Sequence, residues 1–207
     1  MSENKKYRQR TRLVHDGHSR SPFGETSEAL YLTSGFVYDS AEQAEARFRE
    51  EDDGYIYSRF GNPTVRMFEE RMMALEGAED ARATATGMAA VTAAMLSLLQ
   101  TGDHVVAARA LFGSCRYIVE TLLPRYGIET TLIDGRDLDA WEQAMRPTTK
   151  VLFLETPSNP VLELIDMQGV ADIAHAHGAR LVVDNVFATP ILQLSLIHIS
   201  EPTRPLY

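Results

Sequence analysis

Residues 179–190 read ARLVVDNVFATP. Leu181, Val182 and Val183 form a short unbroken apolar run, rich in β-branched residues and bounded by turn formers. That pattern predicts a strand buried on both faces. The run ends in Asp184, followed by Asn185. Open α/β sheets place their ligand crevice outside the carboxyl ends of the strands. A carboxylate at that tip is therefore a candidate ligand group; the other reading is a cap for the next turn.

Reading outward, the pattern alternates. Strands are expected at 105–108, 129–133, 151–154 and 181–183, with helices at 114–123, 138–145 and 170–177 between them. Strands alternating with helices predict βαβ crossovers, hence an α/β fold with a mostly parallel sheet and helices on both faces. Upstream, a helix starts at Asn62-Pro63-Thr64, carries Val65, Phe68, Met72 and Leu75 at helical spacing, and stops at Gly77. An Ala-rich apolar helix runs from Gly87 to about Leu99. Residues 13–60 show weak periodicity and many turn formers, apart from a charged helix near 42–51, and read as an N-terminal arm.

Composition narrows the classes. A chain of 207 residues can bury one sizeable core. The net charge of −9 does not favour nucleic acid or an anionic membrane as partner. Cys115 is the single cysteine, which rules out an internal disulfide and fits a reducing, cytoplasmic compartment. No apolar run approaches the roughly 18 residues of a membrane span, and the first residues lack the apolar core of a secretory signal. Lys5, Lys6, Arg8, Arg10 and Arg12 read as a solvated tail.

The expected strand ends carry the chemistry. Thr86-Gly87-Met88 opens a helix whose first N–H groups have no intrahelical partner, and Gly87 lets a ligand approach the backbone, which suits a phosphate. Thr86 has the plainer reading of an N-cap. Phe112 follows another strand and either stacks on a planar ring or joins the core. The loop Glu155-Thr156-Pro157-Ser158-Asn159-Pro160 offers Asn159 to a ligand or to a turn. Neither GxGxxG nor GxxxxGK[ST] occurs at these ends, which disfavours the alternative of a nucleotide-binding module. No metal ligand set is expected. A phosphate, a flat ring, a phenolic oxygen and a ring nitrogen belong together in pyridoxal 5′-phosphate (PLP), whose ring becomes an electron sink when a carboxylate keeps its nitrogen protonated.

The same residues carry a resemblance. YSRFGNPT (57–64), ATGMAA (85–90), LFGSC (111–115), ETPSNP (155–160) and VDNVFATP (183–190) resemble the Cys/Met-metabolism PLP-dependent enzymes, over residues 12–193. The resemblance implies the large domain of the fold-type-I PLP transferases, here incomplete. It implies that Gly87 and Met88, with Thr86 beside them, bind the cofactor phosphate. Asp184 would pair with the ring nitrogen, Asn159 with the phenolic oxygen, and Phe112 would stack on the ring where many relatives carry a tyrosine. Tyr57 and Arg59 would reach the phosphate of a neighbouring subunit's cofactor, in a homotetramer built from active dimers. The implied reaction is γ-replacement on an activated homoserine, first a succinyl ester with sulfide. The alternatives are an acetyl ester, cysteine as the sulfur donor, or γ-elimination.

One expected group is missing. The family's Schiff-base lysine is absent: no lysine follows Lys150, which precedes a strand at its wrong end. The resemblance stops near Leu194, and LSLIHISEPTRPLY (194–207) reads as a non-native tail resembling translated sequencing-adapter DNA. The expected organisation is thus an arm (1–60), a partial cofactor domain (61–193), the tail (194–207) and no C-terminal domain. As written, such a chain is expected to be a catalytically inactive fragment.

Overall fold

The computed structural model describes residues 7–193. The expected tail at 194–207 lies outside the described residues, as do Lys5 and Lys6. The chain divides into two compact units, with the boundary between Ala83 and Thr84.

The first unit holds helices α1 (Gln9–His15), α2 (Ala41–Phe48) and α3 (Pro63–Glu76). Asn62 caps α3 by accepting the Thr64 N–H at 2.9 Å, and Gly77 ends it at φ 71°. Both are the signals read from sequence. The buried face of α3 differs from the expected one: Val65 and Phe68 are exposed, and Met67 and Leu75 are buried. The reason is long-range. Polar groups on this helix tie it to the preceding chain: Arg71 donates to the Asp16 carbonyl at 2.9 Å, and the Asn62 amide donates to the Tyr31 carbonyl at 2.9 Å. Gly17 comes so close that a Cβ there would sit 2.6 Å from the Met67 carbonyl. Helix α3 therefore packs with residues 7–60 in one unit. Arg12 likewise leaves the expected solvated tail: it pairs with Asp16 at 2.7 Å and donates to the Ala74 carbonyl.

The second unit begins with α4 (Gly87–Leu98) and continues as β1 (His104–Ala108). A continuous helical stretch follows: α5 (Gly113–Tyr117), a π-helical turn (Ile118–Leu122) and α6 (Leu123–Arg125). Then come β2 (Glu129–Ile133), α7 (Leu138–Ala144), β3 (Thr149–Glu155), α8 (Met167–Ala176), β4 (Arg180–Asp184) and α9 (Thr189–Leu192). The four strands pair in parallel in the order β2-β1-β3-β4. This is the predicted α/β architecture.

Strand alternation builds two cores. Val105 and Ala107 on β1, with Val151 and Phe153 on β3, pack against Met95, Leu99, Ile118, Val119 and Leu123. Val106, Ala108, Leu152 and Leu154 point the other way, onto Trp141, Val170 and Ala174. Helices therefore cover both faces, and β1 and β3 read as unbroken apolar runs for that reason. Leu181, Val182 and Val183 depart from the expectation that opened the sequence reading. They are half-buried, because β4 pairs only with β3 among the described residues.

At the amino ends of the strands, His104 is fully buried. Its Nδ1 lies 2.8 Å from Thr149 Oγ1 and its Nε2 lies 2.9 Å from Thr131 Oγ1. Thr149 Oγ1 also accepts the Arg146 N–H at 2.9 Å, so the imidazole is held between two threonine hydroxyls. Burial first, then the Arg146 charge, pushes the His104 pKa below its ordinary 6.5. The folded state thus favours the neutral ring. Its contribution to stability is complete above pH 6.5 and is lost as pH falls through the lower folded value. Urea midpoints measured from pH 7 downward should fall, and His104→Gln should flatten that fall.

Candidate functional site

The connections create the site. From β1 the chain enters α5 on one face of the sheet, and from β3 it goes on to α8 on the other face. Neighbouring parallel strands whose connections part in this way leave a crevice at their carboxyl ends. A cleft of about 580 Å³ lies there, lined among others by Gly87, Met88, Phe112, Phe153, Asn159, Val182 and Asp184.

Each wall follows from local structure. Thr86 is the N-cap of α4: its side chain accepts the Ala89 N–H at 3.1 Å, and its carbonyl accepts the Ala90 N–H at 3.1 Å. The N–H groups of Gly87 and Met88 are left without partners among the described residues, at the positive end of a 12-residue helix. A Cβ on Gly87 would meet nothing within 4 Å, so the space beside its Cα is open. Phe112 is 41% exposed and is therefore a cleft wall rather than core. The Asn159 carboxamide has no hydrogen-bond partner among the described residues; its backbone N–H is engaged.

Asp184 ends β4, in register with Glu155 at the end of β3. One Asp184 oxygen accepts the Val186 N–H at 3.1 Å, the contact that the turn-capping reading requires. The other takes the Cys115 thiol at 3.8 Å. Burial first, then the Asp184 and Glu155 charges, pushes that thiol up to about 12. Cys115 stays a neutral donor that faces a carboxylate. Glu155 is 3% exposed. It accepts the Phe112 N–H at 2.6 Å and the Asn159 N–H at 3.1 Å. Burial pushes its carboxyl above the ordinary carboxylate range, and these two donors act against that push.

Of the residues singled out from sequence, Thr86, Gly87, Met88, Phe112, Asn159 and Asp184 all line this one cleft. Tyr57 and Arg59 belong to the first unit. There Tyr57 bridges to Gly35, and the Arg59 guanidinium lies 5.0 Å from the Tyr57 ring centre. Glu155 and Cys115 are the residues sequence reasoning passed over. Glu155 carried the same signal as Asp184, an acid ending an apolar strand. Nothing local marked Cys115, whose role depends on a contact 69 residues away. Among the described residues no cluster of metal-ligating side chains occurs, and no helix is long and apolar enough to cross a membrane.

The donor set fits PLP without its lysine. Two free N–H groups suit the phosphate, Asp184 suits the ring nitrogen, and Phe112, Phe153 and Val182 offer apolar surface to the ring. Among the described residues no lysine lines the cleft. Lys150 is the exposed second residue of β3, five residues before Glu155, roughly 16 Å away along the strand.

A phosphate-ready helix end and a strand-tip carboxylate on one rim define an α/β domain built for a phosphorylated ring cofactor. Residues 10–199 match the family model of the Cys/Met metabolism PLP-dependent enzymes. The chain belongs to that family. It is 55% identical over 180 residues to an O-succinylhomoserine sulfhydrylase of Mycobacterium tuberculosis, which covers 87% of this chain and 44% of the relative. It is 44% identical over 183 residues to an L-methionine gamma-lyase of Porphyromonas gingivalis, covering 88% and 46%. A solved Campylobacter jejuni structure containing N'-pyridoxyl-lysine-5'-monophosphate superposes with a TM-score of 0.89 at 30% identity, covering 94% of this chain and 48% of that one. The chain spans about half the length of the curated relatives it matches. It is a member of a PLP-dependent enzyme family with the incomplete α/β fold of the type I enzymes.

Proposed function

We propose that the protein this chain represents transfers sulfide onto O-succinylhomoserine, releasing succinate and giving homocysteine, a γ-replacement that serves methionine biosynthesis. The observation that carries the reading is the convergence of Gly87, Met88, Phe112, Asn159 and Asp184 on one cleft. The identity to an O-succinylhomoserine sulfhydrylase supports the choice of substrate. When bound, PLP supplies the electron sink that acidifies the α- and then the β-carbon of the amino-acid substrate. The chain's own residues would bind and orient it. Gly87 and Met88 would donate to the phosphate, Asn159 would donate to the phenolic oxygen, and Asp184 would hold the proton on the ring nitrogen. Phe112 would cover one ring face; it has no phenol with which to move a proton. Tyr57 and Arg59 would complete the phosphate site of a neighbouring subunit, in a cytoplasmic homotetramer of active dimers. Residues 1–60 would be the reaching arm and residues 61–193 the partial cofactor domain.

Steady-state rates on a protein restored to its relatives' length test this reading. Sulfide should outrun cysteine, and the succinyl ester should outrun the acetyl ester. The similarity to an L-methionine gamma-lyase favours one second reading, γ-elimination from methionine. Release of methanethiol faster than homocysteine formation would select it.

The 207-residue chain itself is proposed to be inactive, because no lysine among the described residues lines the cleft. Mixed with PLP it should give no lysine-dependent absorbance near the visible edge. Borohydride should fix no adduct; one stable adduct on a single residue would contradict the assignment.

A further inference from the structure

Glu155 occupies the point where the sheet's connections part. The β1·β3 ladder ends at Ala107 and Phe153, so beyond that point β1 and β3 are no longer paired with each other, although Ala108 still pairs with β2 and Glu155 with β4. One carboxylate takes over. Its Oε2 accepts the Phe112 N–H at 2.6 Å and its Oε1 accepts the Asn159 N–H at 3.1 Å. The first bond spans 43 residues and the second spans four. Hydrogen bonds to an ionised acceptor are short and about twice as strong as neutral ones, and only the carboxylate form accepts freely at both oxygens. With 3% of its surface exposed, Glu155 has little water to compete for those donors. The two residues it holds carry the exposed aromatic face and the unpartnered carboxamide of the cleft.

We propose that Glu155 is a positioning residue that sets the width of the cleft, holding Phe112 toward the face and Asn159 toward the edge of the cofactor ring. This role rests on the cofactor reading above. Glutamine cannot replace the carboxylate: one of its two terminal atoms would be a donor facing a backbone donor. Aspartate is one methylene short of spanning both loops.

The test uses the chain as it stands, with pyridoxamine 5′-phosphate and inorganic phosphate as probes, neither of which needs a lysine. Glu155→Gln should raise amide hydrogen exchange at Phe112 or Asn159 by about tenfold or more, the loss of one charge-assisted bond. Its Kd for pyridoxamine 5′-phosphate should rise by ~10-fold or more for the same reason. Its Kd for inorganic phosphate should stay level or fall, since the α4 donors are untouched and a negative charge is gone. Glu155→Asp should lose ring affinity in the same selective way. Thr156→Val serves as a control: Thr156 is 1% exposed and its hydroxyl accepts the Ile165 N–H at 3.1 Å. It should lower stability and leave the ratio of the two affinities alone.

Unchanged exchange together with pyridoxamine 5′-phosphate affinity within about twofold of wild type in Glu155→Gln would overturn the proposal. So would an equal loss of both probes in Glu155→Gln, Glu155→Asp and Thr156→Val, which would mark a general loss of fold. A wild-type chain that protects both amides yet binds no pyridoxamine 5′-phosphate would sink the cofactor reading instead. In that case the exchange comparison alone decides the brace.

Discussion

Asp184→Asn, in a protein restored to its relatives' length, is expected to lower kcat by ~10²-fold or more, the scale seen when one preorganised electrostatic group is removed from a reacting centre. The substitution keeps the side chain's shape and an oxygen for the Val186 N–H, so the turn after β4 survives. What is lost is the charge that would hold a proton on the ring nitrogen, and with it the ring's ability to withdraw electrons. The Gly87 and Met88 N–H groups, proposed above to hold the phosphate, are untouched, so phosphate affinity should persist. Turnover within threefold of wild type would remove Asp184 from the assigned role.

The second large effect concerns stability. Trp141 is fully buried in the core shared by α7, α8 and one face of the sheet. Its indole N–H donates to the Gly135 carbonyl at 2.9 Å. Trp141→Ala should cost about 3–5 kcal/mol, from lost apolar burial and the cavity left behind. Trp141→Phe keeps much of the volume and leaves that carbonyl without its donor, which should cost about 1–3 kcal/mol. Natural domains are stable by only about 5–15 kcal/mol, so the alanine variant should lose a large share of the total. Urea midpoints rank the three proteins. A midpoint for Trp141→Ala equal to wild type would show that α7 contributes little to this core.

Much of this was legible in the chain itself. Asn62, Pro63 and Gly77 bound a helix because capping and backbone preference act within a few residues. The alternation of strands with helices foretold a parallel sheet with helices on both faces. Asp184 was visible as an acid ending an apolar run, and Gly87 as a glycine opening a helix. Where the reading missed, the cause lay far along the chain. Val65 and Phe68 had the spacing of a buried stripe, but helix periodicity does not say which side its neighbours approach. Arg12 looked like a solvated cation because its acceptor, the Ala74 carbonyl, is 62 residues away.

Local pattern, then, determined the elements, their direction and the rim of the sheet on which the polar residues gather, because propensity, capping and periodicity are properties of neighbours in sequence. The tertiary structure alone decided that β1 lies beside β3 and that β4 is half-buried. It alone decided that Glu155 reaches the backbone of Phe112. Those facts depend on strand order, and strand order is settled by which apolar surfaces can be buried together, a property of the whole packed core that no short stretch of sequence contains.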